Sequence, residues 1–196
     1  MGTILYLHGF LSSPGSAKVT MLRDGVPEDL TVEVPDLNLA PLEADRKIAD
    51  WVLSHRREHP NEALAVVGSS LGGFYAARAG ARFGLRTVLL NPCFNPWEFV
   101  GNHLGRQTIY GTHRTLDVVP DFVDELKALA CETSPLAVNP ADTLAVFGTG
   151  DEVLDWRAGS AAYADCRQLI LPGEDHRIAK FADLIPRIVD FVCFGH

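Results

Sequence analysis

Apolar residues along this chain fall into two alternating patterns. Short runs rich in leucine, valine and isoleucine occur at residues 3–7, 31–34, 63–67, 87–90, 143–147 and 167–171. Most of them have too few polar positions to alternate in and out, which predicts strands buried on both faces. Between them, apolar residues return at helical spacing. Residues 43–57 carry Ile48, Trp51 and Val52 on one side, with Glu43, Asp45, Arg46 and Lys47 elsewhere, and so predict an amphipathic helix. Further helices are predicted over 14–22, entered through Ser12-Ser13-Pro14, from about residue 70, and over 157–164 and 180–194.

Strands alternating with helices of this length predict an α/β protein: about six mostly parallel strands joined by right-handed crossovers, with helices on both faces. Residues 91–140 exceed what a connection in such a sheet needs. They contain helix-like pieces at 96–104 and 121–130, and are expected to form a short cap-like excursion above the strand ends. A length of 196 residues is most economically one domain over 1–196. The hydrophobic fraction of 47% and charged fraction of 21% are those of an ordinary globular chain. A net charge of −8 without any basic run argues against nucleic acid as a partner. Cys93, Cys131, Cys166 and Cys193 are scattered without C-x-x-C or metal-type spacing, and are expected to be reduced. Neither a signal peptide nor a membrane span is predicted, so a cytoplasmic location is expected.

Chemistry enters at Gly68-Ser69-Ser70-Leu71-Gly72, a G-x-S-x-G sequence between an apolar run and the small-residue stretch Gly73-Phe74-Tyr75-Ala76-Ala77. In that context the pattern predicts a nucleophile elbow, in which a strained turn lifts the Ser70 hydroxyl clear of the sheet. A serine hydroxyl needs a base, and the base needs a carboxylate to hold its tautomer. In an α/β hydrolase they follow in the order serine, acid, histidine. Among His103, His113, His176 and His196, only His176 follows a predicted strand, so it is the expected base. The turn after residue 147 supplies Asp151, Glu152 and Asp155. Asp151 is the expected acid, Glu152 is expected to point the other way, and Asp155, the rival, is expected to cap the next helix. The oxyanion donors are expected to be the backbone N–H groups of Leu71 and of Phe10, which follows His8-Gly9 after the first strand. His8 is expected to brace that loop.

With these elements in order the chain looks like a minimal α/β hydrolase lacking the first two strands of the larger fold. More closely, it resembles the YqiA-like esterases, small bacterial proteins. The resemblance lies in His8-Gly9-Phe10-Leu11-Ser12-Ser13-Pro14-Gly15-Ser16-Ala17-Lys18, in Gly68-Ser69-Ser70-Leu71-Gly72-Gly73-Phe74-Tyr75-Ala76, in Asn91-Pro92, and in Thr149-Gly150-Asp151-Glu152-Val153-Leu154-Asp155. It implies hydrolysis of small-molecule esters, including thioesters, of short to medium acyl chains without metal or organic cofactor. It also implies Ser70 as nucleophile, Asp151 as acid and His176 as base. The chain departs from the pattern at Arg177-Ile178, where the family tends to an aromatic residue, and matches less well over 105–133.

Two other readings stand beside the esterase. An acyl-CoA thioesterase needs cations at the mouth for the CoA phosphates, and Arg106, Arg114 and Lys127 are the candidates. A non-catalytic binding protein on a hydrolase scaffold has no need of all three triad groups. Nucleotide binding is disfavoured, since neither a G-x-G-x-x-G after the first strand nor a Walker lysine is present. His55 and His59 lack a third metal ligand and are expected to face solvent.

Overall fold

The computed structural model describes residues 2–132 and 138–195. Residues 133–137 of the expected excursion, and His196, lie outside the described residues. Six parallel strands form one sheet in the order β2-β1-β3-β4-β7-β8: β1 (Gly2–Leu7), β2 (Leu30–Glu33), β3 (Ala63–Ser69), β4 (Arg86–Leu90), β7 (Thr143–Gly148) and β8 (Arg167–Leu171). The period of two along a strand divides β1 between two cores. Leu5 and Leu7 pack with α2 (Pro41–Glu58) and α3 (Leu71–Phe83), whereas Ile4 and Tyr6 pack with α1 (Ala17–Gly25) and α7 (Phe181–Phe194). The remaining helix on the sheet, α6 (Trp156–Ala162), follows β7.

All six predicted strands are present, with ends displaced by a residue or two. The first helix begins at Ala17, later than the serine-proline start signal implied, because residues 13–16 form a turn closed by Ser16 N–H donating to the Ser13 carbonyl. The excursion contains the two expected helices, α4 (Pro96–Gly101) and α5 (Asp121–Glu132). It also contains an antiparallel hairpin, β5 (Gly105–Thr108) with β6 (Thr115–Val118), which the pattern did not predict. Both hairpin strands are largely exposed, so they carry little apolar alternation to read. Several hydrogen bonds tie the excursion down, three of them from its hairpin and α5. Tyr110 N–H donates to the Leu11 carbonyl at 2.8 Å, Arg114 reaches Asp36 at 2.6 Å, and Leu42 N–H donates to Glu125 at 3.0 Å.

Arg78, on α3, links α2 to α5 of the excursion. Its buried guanidinium meets both carboxylate oxygens of Asp45, at 2.9 and 3.2 Å, and donates to the Leu129 carbonyl. Truncating one partner of such a pair strands the other charge in the interior. Arg78→Ala is therefore expected to lower unfolding stability by about 3–5 kcal/mol, measured by denaturant titration.

The chain runs from β1 to β2 on one side of the sheet and then to β3 on the other. The order reverses between β1 and β3, and in open parallel sheets a crevice opens beyond the strand ends at such a point. The loop after β1 and the turn after β3 therefore meet there.

Candidate active site

Ser70 links β3 to α3 with φ 56° and ψ −122°, a backbone state that costs a non-glycine residue roughly 1–3 kcal/mol. The turn survives because its neighbours have no side chains to clash. A Cβ on Gly68 would run into the carbonyl of Gly72, and one on Gly72 into the carbonyl of Leu7. Backbone bonds hold the turn from both ends: Ser70 N–H donates to the Leu90 carbonyl at 3.0 Å, and Cys93 N–H donates to the Ser70 carbonyl at 3.0 Å. Burial pushes the Cys93 thiol up to about 12, so it does not compete as a nucleophile.

The loop after β1 crosses directly over this turn. A Cβ on Gly9 would lie 3.3 Å from the Ser70 Cβ and 3.9 Å from its Oγ. Leu71 opens α3, so its N–H has no partner within the helix. Phe10 is followed by Leu11 at φ 56°, a second strained position of the crevice. His8 braces the loop as expected. Leu37 N–H donates to its Nε2 at 2.9 Å, which leaves Nδ1–H to donate to the Gly9 carbonyl at 2.9 Å. Burial keeps this imidazole below its ordinary pKa, against the opposing pull of Gly9 and Asp36.

The structure brings Asp151 and His176 together. His176 Nδ1–H donates to Asp151 Oδ2 at 2.8 Å, and the Asp151 side chain is almost wholly buried. The other oxygen, Oδ1, accepts from Val153 N–H at 2.8 Å and Leu154 N–H at 2.9 Å. Burial works to raise this carboxyl, but the bonds from His176, Leu154 and Val153 prevail and hold it below the usual carboxylate value. Asp155 caps α6 instead, accepting from Arg157 N–H at 2.9 Å and Ala158 N–H at 3.4 Å. Glu152 departs from expectation. The turn does not stay extended, and its carboxylate accepts His176 N–H at 3.0 Å, bracing the same loop.

Asn91 joins the two halves of the site, a role the sequence reading missed. Its φ is 42°, and its buried amide donates to the carbonyls of Asp175 and His176, both at 3.1 Å, while Oδ1 accepts Gly148 N–H at 2.8 Å. Only an Asn-Pro pair ending a strand hinted at it. His103 accompanies Phe10 and Phe99 in an aromatic cluster of the excursion. His55 does not face solvent as expected: it stacks between Trp51 and His59, with Nε2 buried and, among the described residues, without a hydrogen-bond partner. Among the described residues, no group of His, Cys, Asp and Glu is arranged to hold a metal, and no helix is long and apolar enough to cross a membrane.

Beside the loop after β1 lies a cavity of about 20 Å³, room for one or two waters. Phe10, Leu71 and Tyr75 line it from below, and Val100, Leu116 and Phe122 close it from the excursion.

A parallel sheet with a strained serine turn and a carboxylate–imidazole pair at its carboxyl edge is the arrangement of the α/β-hydrolase fold, and solved structures agree. Est1E from Butyrivibrio proteoclasticus, with ferulic acid bound, superposes with a TM-score of 0.74 at 15% identity, over 98% of this chain and 88% of its own. A structure from the study of LipS and LipT, two metagenome-derived lipolytic enzymes, gives 0.69 at 19% identity, over 97% and 93%. The chain belongs to the uncharacterised protein family UPF0227, whose pattern it matches over residues 3–193, in line with the YqiA-like resemblance. A UPF0227 protein of Shewanella sediminis (strain HAW-EB3) is 25% identical over 187 residues, 94% of this chain and 96% of the relative.

Proposed function

We propose that this protein is a serine esterase that hydrolyses small carboxylic esters through an acyl-enzyme on Ser70. The observation that carries this reading is the 2.8 Å bond between His176 and the buried Asp151, on loops sewn to the strand end beside the serine turn. Since Nδ1 donates to the carboxylate, Nε2 is left as the proton acceptor. Ser70 Oγ attacks the ester carbonyl carbon while His176 Nε2 takes its proton. The N–H groups of Leu71 and Phe10 receive the oxyanion. Collapse expels the alcohol, protonated by His176, and a water activated by the same nitrogen releases the acid.

The cavity beside Phe10 and Leu71 supports the short end of the short-to-medium acyl range, because its walls are mostly apolar and its free space is small. The cations that CoA phosphates require are each matched to a carboxylate: Arg106 to Asp117 at 3.0 Å, Arg114 to Asp36 at 2.6 Å, and Lys127 to Asp124 at 3.6 Å. This favours plain esters over CoA thioesters. The test is hydrolysis of p-nitrophenyl acetate, butyrate and octanoate. kcat/KM is expected to be at least about tenfold lower for octanoate than for acetate, since surplus methylenes have no pocket to enter. A value that rises with chain length contradicts the short-acyl reading, and no hydrolysis of any ester contradicts the esterase.

A further inference from the structure

We propose that Lys18 is a positioning residue of this site, its ammonium bonded to Ser69 on the strand end that carries Ser70 and compensating, through space, the charge of Asp175 on the loop that carries His176. The inference rests on the serine-esterase reading above. Ser69 shares its strand parity with Ala65 and Val67, which face the core under α1 and α7. Its hydroxyl therefore turns away from the crevice, and Lys18 Nζ donates to it at 3.0 Å. The ammonium stands 5.7 Å from the centre of the Phe181 ring of α7.

Asp175 is the residue before His176. Its Oδ1 is buried and, among the described residues, without a hydrogen-bond partner. A carboxylate oxygen left so is tolerable where a cation compensates its charge. Around Lys18 the charged and titratable groups are Asp175 and Asp151, which favour its charge, Arg177, which opposes it, and Tyr6, reached through Ser69. Burial pushes the Lys18 ammonium down to about 8, against the pull of Asp175 and Asp151. In weakly alkaline solution the amine can still bond to Ser69, but it no longer compensates Asp175, and the His176 loop loses that electrostatic support. The bonds from Asn91 to the same loop do not titrate.

The experiment measures kcat and KM for p-nitrophenyl acetate across the neutral and alkaline range on wild type, Lys18→Arg, Lys18→Met, Asp175→Asn, the Lys18→Met/Asp175→Asn double variant and Ser70→Ala. Wild-type kcat is expected to fall above about pH 8, while Lys18→Arg, which stays charged, holds its activity. Lys18→Met is expected to lower kcat by about 10- to 100-fold at neutral pH with KM nearly unchanged, the scale of a misplaced catalytic group. Adding Asp175→Asn is then expected to cost nothing more, because both changes remove the same charge compensation. Coincident alkaline profiles for wild type and Lys18→Arg overturn the proposal. So do losses that multiply in the double variant, and a Lys18→Met variant that melts earlier yet keeps wild-type kcat. If Lys18→Met does not fold, the comparison of wild type with Lys18→Arg decides. Activity that survives Ser70→Ala contradicts the esterase mechanism itself; activity lost there but indifferent to Lys18 contradicts the positioning role alone.

Discussion

Ser70→Ala is expected to lower kcat by about 10⁶-fold while leaving the melting temperature within a few degrees of wild type. Covalent catalysis divides a difficult displacement into two easier steps, and without the hydroxyl neither step has a nucleophile. Residual turnover comes from the oxyanion donors and from binding, which persist in the variant. The fold is not at risk, since the turn is held by backbone bonds to Leu90, Gly73 and Cys93 and by the small residues around it. Alanine fills the same strained position with less bulk. Steady-state kinetics on the purified variant, with its fold checked by circular dichroism, decides the matter. Labelling by a fluorophosphonate gives a second readout: Ser70 takes the phosphonate in wild type and the variant takes none. Near-wild-type hydrolysis in the variant would falsify the mechanism.

Asp151→Asn is expected to cost about 10⁴-fold in kcat, although asparagine has nearly the same shape. The backbone explains why. Val153 and Leu154 both donate to one side-chain oxygen of residue 151, so an asparagine must keep its carbonyl oxygen there. Its amide nitrogen then faces His176 and donates to Nδ1. The imidazole is forced to carry its proton on Nε2, where it can no longer accept one from Ser70. Asp155→Asn is the control, because that side chain caps α6 and makes no contact with His176; its activity is expected to stay within about twofold of wild type. Stability follows the carboxylate as well. The folded-state pKa of Asp151 is held below its usual value, so its contribution is present above that value and is lost as pH falls through the folded one. Wild type is therefore expected to lose stability on acidification more steeply than Asp151→Asn, as measured by thermal melts across the acid range.

Much of this architecture was legible because it depends on neighbours in sequence. Strands buried on both faces show as unbroken apolar runs, and the crossover helices show as periodic stretches, so the six-stranded parallel sheet could be read with boundary errors of a residue or two. The serine turn was legible for the same reason: Gly68 and Gly72 are required by backbone clearances that any strand–turn–helix of this tightness imposes. The hairpin β5–β6 was not, because an exposed two-stranded ribbon lays no apolar stripe along the chain.

The partners of Asp151, Glu152 and Asp155 were open to sequence only as a preference, since all three stand in one short turn. The curl of that turn gives Asp151 to the His176 ring, Glu152 to the His176 backbone and Asp155 to the start of α6. Lys18 and Ser69 are 51 residues apart, and Asn91 and Gly148 are 57. Local composition carries no trace of such meetings. The chain's own order of apolar runs, small residues and turn formers set the sheet and the serine turn, because those are decided by steric and solvation rules acting over a few residues. Which carboxylate faces which imidazole, and which lysine reaches the residue before the serine, was decided only when distant strand ends were packed side by side, because a hydrogen bond depends on separation in space and not along the chain.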